Sequence, residues 1–592
     1  MVQAIWLVVA TLVTFSAGYL GYSRYLAQFV ELDEDRETPA HKYEDGQEYV
    51  PAKKPVLLGH HYSSIAGGAP IVGPITAGVV WGWVPALLWI AIGNPLMGSV
   101  HDFVSLSGSL RHEGKSIGYI IGEYVGDRGK NMLLWFAFLT IILVVAVFAL
   151  VVAIVFDAYP SAATASMLYI ALALVFGVYL YQFDLPLIPG TVVFVAGVFA
   201  SVWVGIQYPI TLVPEGGSIF LPTVINPNVS AWIPVVIVYA FIASVLPVWM
   251  LLQPRDYLSS FLLYTGVGGT LLAVIVGTIL GTSNEPLTIN IGAYNGFWGT
   301  AGLPLFPLLF VTIACGTISG FHSLVSSGTT AKQLNKETDA RMIGYGGMLG
   351  EGLLATVALA TLAVAGFAEG GGIGLALPNF ADGGGVILTS LGIPASYGAP
   401  FMALVLVSFL LTSTDTALRL GRYMMEEIVG TPETSLESTA TNRYVNAGIQ
   451  GVLAYALVSS GTWADLWPLF GGANQLLAAM ALLTATVWLA NWDESKQLIS
   501  TGVPMAIMAT ITVVALLYLA LYQNLWQKFV QGNWGDAGAT LANQASVAVQ
   551  IIVALILVGL ALSLVRMGYS TIKSARGGPE AVAADGGEPG DD

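Results

Sequence analysis

The stretch GHHYSSIAGGAPIVGP at residues 59–74 places four glycines and two prolines where an apolar run should cross a membrane. Non-helical backbone is tolerated at membrane depth only where it lines a cavity or is buried in protein. A break near residues 67–70 would point the N-terminus of a half-helix, with free N–H groups, at that cavity. The pattern predicts a discontinuous helix able to bind an anionic group; close packing of helices through small residues is the alternative.

The composition around this stretch indicates lipid as the main solvent. Of 592 residues, 55% are hydrophobic and only 10% are charged, and the mean hydropathy is +0.74. So few charges cannot coat a water-soluble surface of this size. The class predicted is an all-α integral membrane protein, with the lipid bilayer as its partner.

Apolar runs of about 20 residues, the length that spans a bilayer, recur along the chain and predict about 15 transmembrane helices, among them spans at 231–252, 304–328 and 444–460. The first of these three spans contains a weak break at residues 244–247. Basic residues test this count, because they accumulate in cytoplasmic loops. With the N-terminus outside and the C-terminus cytoplasmic, twenty of the 21 lysines and arginines fall on the cytoplasmic side, and only Lys528 falls outside. The sequence therefore predicts a multi-pass protein of a plasma membrane.

The runs divide the chain into a leading helix, a core and a C-terminal set of helices. The predicted segments are a leading helix at 1–21, a cytoplasmic acidic loop at 22–56, a core at 57–413, a cytoplasmic loop at 414–443, C-terminal helices at 444–567 and a disordered acidic tail at 568–592.

Several function classes lack their signals. The net charge of −15 argues against a nucleic-acid partner, and the single cysteine, Cys315, excludes a disulfide framework within the chain. There is no phosphate-binding loop, His-Glu-x-x-His pattern or Gly-x-Ser-x-Gly elbow. We expect no enzymatic activity and no cofactor; secondary transport is the simplest interpretation, and the oligomeric state stays open.

A second unusual span, residues 317–330, is rich in hydroxyl side chains. Hard cations take oxygen ligands, so these hydroxyls could hold Na⁺ together with carbonyls freed by a broken helix. The alternative is that each serine bonds back to its own helix. The predicted sodium ligands are Ser319, Ser323, Ser326 and Ser327, with the backbone of Ala66 and Gly67.

Ionisable residues inside apolar runs are costly and mark functional sites by default. His101 and Asp102 are adjacent in sequence, so they are expected to point to different faces and need not pair. His322 lies mid-span and could titrate, coupling proton movement to transport, although a neutral structural histidine is the alternative. Glu351 and Asp415 lie near the predicted cytoplasmic ends of their spans, where solvation is expected. Arg255 and Asp256 form a predicted cytoplasmic turn with a local ion pair, part of a gate.

The sequence resembles the carbon starvation protein A (CstA) family at residues 59–74, 45–51, 98–103, 318–330 and 345–352. The resemblance covers most of residues 20–490. It implies a nutrient transporter used during carbon starvation, for peptides or pyruvate. It also implies the core of amino acid, polyamine and organocation transporters, two inverted five-helix repeats, here at 57–206 and 231–413, with a leading helix and four C-terminal helices.

These observations support one functional hypothesis and one alternative. The first is a secondary active importer of a small organic nutrient, a peptide or pyruvate-like carboxylate, coupled to Na⁺ or H⁺. The alternative is a membrane starvation sensor or scaffold that binds such a ligand without moving it. The predicted substrate-binding residues are Ser64, Gly67, Gly68, Ala69, Pro70, His101, Asp102 and His322.

Overall fold

A computed structural model describes residues 2–284, 286–366, 373–459, 463–492, 497–534 and 539–577. Regular structure in these ranges is helical, apart from two isolated bridges, Gln3 with Thr288 and Ala52 with Leu334. This follows from the apolar sequence, because a helix satisfies its own backbone hydrogen bonds where no water is present.

The helices that build the membrane bundle and its interruptions are numbered α1 to α18. They are α1 (Ile5–Val30), α2 (Lys54–Ile65), α3 (Ala69–Trp81), α4 (Trp83–Arg111), α5 (Asp127–Ala158), α6 (Pro160–Gln182), α7 (Leu187–Gln207), α8 (Pro227–Val245), α9 (Leu252–Leu280), α10 (Leu305–Thr312), α11 (Gly320–Val325 with the wider turn Ser326–Thr330), α12 (Glu337–Ala365), α13 (Ile373–Leu388), α14 (Ala395–Val429), α15 (Arg443–Ser459), α16 (Trp463–Trp492), α17 (Ile499–Val530) and α18 (Leu541–Gly577).

Twelve helices in the described ranges are long and apolar enough to cross a membrane, and the bent pair α2 and α3 makes a thirteenth span. The prediction of about 15 differs at two places. The predicted span 304–328 consists of the short helices α10 and α11 with non-helical chain between them, and 444–460 is α15, of only 17 residues. The 16-residue helix α13 had no counterpart in the prediction.

Three predicted boundaries also differ. Helix α1 continues to Val30, so the acidic loop starts later than residue 22. Helix α14 continues to Val429 through the predicted loop 414–443. Helix α18 runs to Gly577, which makes residues 568–577 helical; the rest of the acidic tail lies outside the described residues. Helix α14 extends past its apolar run because neighbouring helices cover polar residues such as Asp415 and Arg419, whereas polar residues in the extensions of α1 and α18 are largely exposed.

Helices α5 and α14 pack along each other at the centre of the bundle, and 94% of the apolar window of each is buried. Around this pair, α2 packs against α9, α3 against α12, and α11 against α16. The predicted weak break at residues 244–247 is the end of α8, since Leu246 is extended and a separate helix, α9, begins at Leu252. The central pair therefore supports two discontinuous helices, α2 with α3 and α10 with α11.

Candidate functional site

The first interruption lies between α2 and α3, whose axes differ by 45°. Ala66 has an extended ψ of 90°, and Pro70 stands in the first turn of α3, where a missing N–H costs no helical bond. No side chain caps the start of α3. The predicted break at residues 67–70 thus corresponds to a real interruption, at Ala66–Gly68.

Glycine at the interruption also permits close packing. A Cβ added to Gly67 would lie 2.7 Å from the Phe148 ring, and one added to Gly68 would lie 2.9 Å from Leu410. Phe148 belongs to α5 and Leu410 to α14. The interruption is therefore packed directly against the central pair, and small-residue packing, the alternative considered from the sequence, accompanies the break.

The second interruption separates α10 from α11 and meets the first. A Cβ added to Gly73 of α3 would lie 2.4 Å from the carbonyl oxygen of Thr312, and one added to Gly316 would lie 3.7 Å from Cα of Pro70. Asn94 of α4 supports the non-helical segment by donating to the carbonyl of Gly316 at 3.1 Å. Two non-helical segments consequently lie side by side inside the bundle.

A cluster of buried acids and histidines lies beside the second interruption. Oδ2 of Asp102 is 3.5 Å from Nδ1 of His322 and 3.9 Å from Nε2 of His61, and Oδ1 of Asp102 is 3.3 Å from Nδ1 of His101. Nε2 of His322 is 3.3 Å from Oε2 of Glu351. All five side chains are fully buried. We call these residues the acid–histidine cluster.

Two expectations about this cluster were wrong. His101 and Asp102, expected to diverge, have side chains 3.3 Å apart, because the side chains of adjacent helical residues can curl toward each other in a closed space. Glu351, expected to be solvated, is buried because α12 packs between other helices rather than ending in water. The sequence predicted His101, Asp102 and His322 as site residues. It did not predict His61, although His61 lies within residues 59–74.

Hydrogen bonding in the acid–histidine cluster is incomplete. Among the described residues, both carboxylate oxygens of Asp102 and Glu351, both ring nitrogens of His101 and Nε2 of His322 lack a partner with hydrogen-bond geometry. His61 is held on its other side, since Nδ1 lies 2.9 Å from Oγ1 of Thr330. Buried polar atoms without partners are costly, which marks a place suited to protons, water or a polar ligand.

Two members of the cluster, His322 and Glu351, form a set of potential metal ligands with Cys315. One donor atom from each of the three residues lies within 4.8 Å of the others. Ligands around tetrahedral zinc are separated by roughly 3.4–3.8 Å, given bonds of about 2.0–2.3 Å. Nε2 of His322 lies 3.3 Å from Oε2 of Glu351, a spacing that suits a direct pair as well as two ligands of one ion.

Most of the serines predicted to bind sodium are engaged in other bonds. Ser323 Oγ donates to the carbonyl of Gly320 at 2.7 Å, and Ser327 Oγ donates to that of Ser323 at 2.6 Å. Ser319 Oγ accepts from Asn474 Nδ2 at 2.8 Å. Ser326 Oγ is buried without a partner in the described part of the chain. Ser326 is thus the one predicted sodium ligand whose hydroxyl makes no hydrogen bond among the described residues.

The predicted substrate ligand Ser64 lies at the end of α2 and faces α14. Its Oγ is 3.3 Å from Nδ1 of His60 and 3.5 Å from Oγ1 of Thr416, while its carbonyl accepts from Ser413 at 2.9 Å. Ala69 and Pro70 begin α3 and are buried. Ser64 therefore lies next to the break at Ala66–Gly68. His61, one turn before Ser64 on α2, belongs to the acid–histidine cluster and connects the cluster to this region.

The predicted pair Arg255 and Asp256 lies in the first turn of α9 rather than in a turn between helices, and both side chains are fully buried. Nη2 of Arg255 donates to Oδ1 of Asp256 at 2.7 Å, and the guanidinium also donates to Asp415 of α14 and to the Tyr239 hydroxyl. The far carboxylate oxygen of Asp256 lies 2.6 Å from Nδ1 of His60. Asp415, expected to be solvated, is instead buried by this ion-pair network.

The network ties the half-helix α2 to α9 and α14. His60 contributes from α2, Arg255 and Asp256 from α9, and Asp415 from α14. A buried charge is stable only when it is paired and hydrogen-bonded, so separating these helices would leave charges uncompensated. The predicted pair thus belongs to a larger connection that holds α2 against the bundle.

The fold and these two buried polar groups define a multi-pass membrane protein of the transporter class. The family model described as carbon starvation protein CstA matches residues 3–370 and 369–515. The chain therefore belongs to the CstA carbon starvation family.

Relatives within the family carry names that describe transport. A peptide transporter CstA from Helicobacter pylori is 33% identical over 582 residues, covering 86% of this chain and 81% of its own. A pyruvate/proton symporter BtsT from Escherichia coli is 33% identical over 604 residues, covering 87% and 81%. A solved structure of a manganese transporter from Eremococcus coleocola aligns with a TM-score of 0.43 and 13% identity, covering 89% of this chain and 99% of its own.

Proposed function

We propose that the chain is a secondary active transporter that imports a small organic nutrient bearing a carboxylate, either pyruvate-like or a peptide, in symport with H⁺. The observation that carries the proposal is the contact of the second interruption with α3, the helix that begins at the first interruption: Gly316 lies against Pro70, and Thr312, at the end of α10, lies against Gly73. Unwound segments lying together inside a bundle leave amides and carbonyls free to hold a solute. Family relatives named as peptide and pyruvate transporters support the substrate class.

The contacts favour a division into repeats that differs from the one expected at 57–206 and 231–413. Each repeat would begin with an interrupted helix, α2 with α3 in the first and α10 with α11 in the second. Helices α5 and α14 would be the third members, since they pack together at the centre. The fifth members would be α9, packed on α2, and α16, packed on α11. Helices α6 and α7 would then be an added hairpin.

The acid–histidine cluster favours a proton over sodium as the coupling ion. Its two carboxylates and three histidines are buried and incompletely hydrogen-bonded, so gain or loss of a proton there would change the charge inside the bundle and favour a different packing of the helices. The four serines expected to bind sodium carry no charge, and three of them already make hydrogen bonds that hold them in place without an ion. A family relative named as a pyruvate/proton symporter is consistent with this choice.

The orientation follows the basic residues. The face that carries the loop between α1 and α2 would be cytoplasmic, because basic side chains accumulate on that face. On this orientation the ion-pair network of Arg255, Asp256, Asp415 and His60 would close the cytoplasmic side of the interruption. Import would require α2 to move away from α9 and α14 after the substrate has bound.

The experiment reconstitutes the full chain in liposomes and follows labelled pyruvate and labelled dialanine under separately imposed proton and sodium gradients. We expect accumulation of at least one substrate under an inward proton gradient with sodium absent. His322→Ala should change the pH dependence of that uptake. Binding of a substrate without accumulation under any gradient would contradict transport and support a sensor.

A further inference from the structure

A column of polar side chains runs along α14 from the interruption toward the face proposed to be cytoplasmic. Leu410 packs at the interruption, and the next turns carry the residues that bind α2 and α9. At about 1.5 Å per residue, Arg422 lies about 18 Å along the helix from Leu410. The column consists of Thr412, Asp415, Thr416, Arg419 and Arg422, which lie on one broad face of the helix.

Arg419 and Arg422 end the column and are only 1% and 3% exposed. Both donate to carbonyls at the end of α8: Arg419 Nη2 to Ala243 at 2.9 Å, and Arg422 Nη1 to Ser244 at 3.1 Å. In the described residues, Nε of each arginine has no hydrogen-bond partner. Two buried guanidinium groups, each with an Nε–H group that makes no hydrogen bond in the described part of the chain, therefore lie at the end of the column.

A carboxylate of the chain itself lies between these arginines. Oε1 of Glu48 accepts from Nη2 of Arg422 at 2.9 Å and lies 3.7 Å from Nη1 of Arg419, while Oε2 has no partner among the described residues. Lys332 also interacts electrostatically with Glu48, and it has two further acidic partners, Glu427 and Glu426. Glu48 is therefore the carboxylate that directly contacts the two arginines, in a region where acidic and basic side chains alternate.

Glu48 belongs to the loop that leads into α2, so its position is linked to that half-helix. The loop is fastened by main-chain bonds, from Val248 N to the carbonyl of Gln47 at 3.2 Å and from Ala52 N to that of Gln333 at 3.0 Å. Movement of α2 would pull on this loop and withdraw Glu48. The two arginines would then have no carboxylate partner. The same movement would open the region between the column and the interruption.

We infer that Arg419 and Arg422 form a release site for the carboxylate of the substrate, and that Glu48 occupies this site while the face is closed. The inference rests on the proposed function. Arginine pairs bind carboxylates through directional, charge-assisted bonds, and Glu48 shows that the site accepts one. The ligand class is a small carboxylate: the carboxylate of pyruvate or the C-terminus of a peptide.

The test measures exchange in right-side-out and inside-out membrane vesicles containing the full chain. The vesicles are preloaded with saturating unlabelled pyruvate, and labelled pyruvate is varied only outside, so that each orientation reports on one face. Glu48→Gln removes the competing charge, so the half-saturating pyruvate concentration should fall about fivefold at the cytoplasmic face and stay unchanged at the other face. Arg422→Gln should raise it about tenfold at the cytoplasmic face alone. Glu44→Gln, on an exposed residue of the same loop, is the matched control and should change neither.

The two sources of carboxylate are separated with dialanine and its C-terminal amide. If a peptide is the substrate, Arg422→Gln should weaken dialanine exchange at the cytoplasmic face without affecting the amide. Equal values for Glu48→Gln and Glu44→Gln at both faces, with active wild-type exchange, would overturn the inference. Absence of exchange in the wild type would instead reject the proposed function. If Glu48→Gln does not fold, Arg422→Lys decides, since an unchanged cytoplasmic value would also overturn the release site.

Discussion

Nε2 of His322 lies 3.3 Å from Oε2 of Glu351, with both side chains fully buried and no hydrogen-bond geometry between these two atoms. Because both groups are buried, replacement of either one would change the net charge of the pair where no water can compensate. The relationship links α11, which follows the second interruption, to α12. Proton uptake at this pair would therefore act directly on the helix that borders the proposed substrate site.

Glu351→Gln keeps the shape of the side chain and removes its exchangeable proton. We expect loss of pyruvate accumulation driven by a proton gradient, while exchange of labelled for unlabelled pyruvate continues, because exchange needs no net proton movement. Liposomes containing each variant measure both activities. Glu215→Gln, on an exposed loop residue, should retain both. Undiminished gradient-driven accumulation in Glu351→Gln would show that the carboxylate has no part in coupling.

Gly73→Ala tests the contact between the two interruptions. The added Cβ would lie 2.4 Å from a backbone oxygen, that of Thr312, which cannot rotate away. We expect a loss of about 1–3 kcal/mol in stability, the usual range for overpacking, together with a loss of uptake. Urea unfolding in detergent measures the first. Gly268→Ala in α9 meets nothing within 4 Å and should be tolerated, so equal effects of the two substitutions would contradict the contact.

Asp415→Ala tests the network that holds α2, α9 and α14 together. Removal of one of the two carboxylates bound to Arg255 leaves part of a buried charge uncompensated. The expected cost is about 3 kcal/mol in the free energy of unfolding, measured by the same urea titration. Asp184→Asn, at an exposed loop position, is the control. A cost no larger than that of the control would mean that the network contributes little.

The response to sodium distinguishes the two coupling ions. Because we propose that the coupling ion is a proton bound at the acid–histidine cluster, we expect Ser326→Ala combined with Ser327→Ala to leave uptake insensitive to sodium, as in the wild type. Initial uptake rates from zero to high sodium provide the measurement. A wild-type requirement for sodium that the double substitution weakens would restore the serine site and reject proton coupling.

The sequence alone predicted the membrane class, most helices and the first interruption, because these depend on local hydrophobicity and on glycine and proline. It also singled out His101, Asp102 and His322. It could not show that Glu351 and Asp415 are buried, since their distance from water depends on which helices pack beside them. The role of His60 was similarly hidden: its partner Asp256 is 196 residues away.

The second interruption shows the same limit. Hydrophobicity predicted one span at 304–328, and the hydroxyl-rich sequence indicated irregularity only near its end. The structure ends α10 at Thr312 and begins α11 at Gly320, where glycines allow close approach to α3 and α16. Such contacts join segments more than 150 residues apart, which no local pattern records.

Proton movement itself tests the account most directly. Liposomes containing the full chain and a trapped pH-sensitive dye are given an inward pyruvate or dialanine gradient, without sodium and with the membrane potential clamped; protein-free liposomes correct for passive entry. We expect internal acidification with at least one substrate in the wild type, and no acidification above background in Glu351→Gln. Substrate accumulation without acidification would contradict proton coupling through the buried cluster.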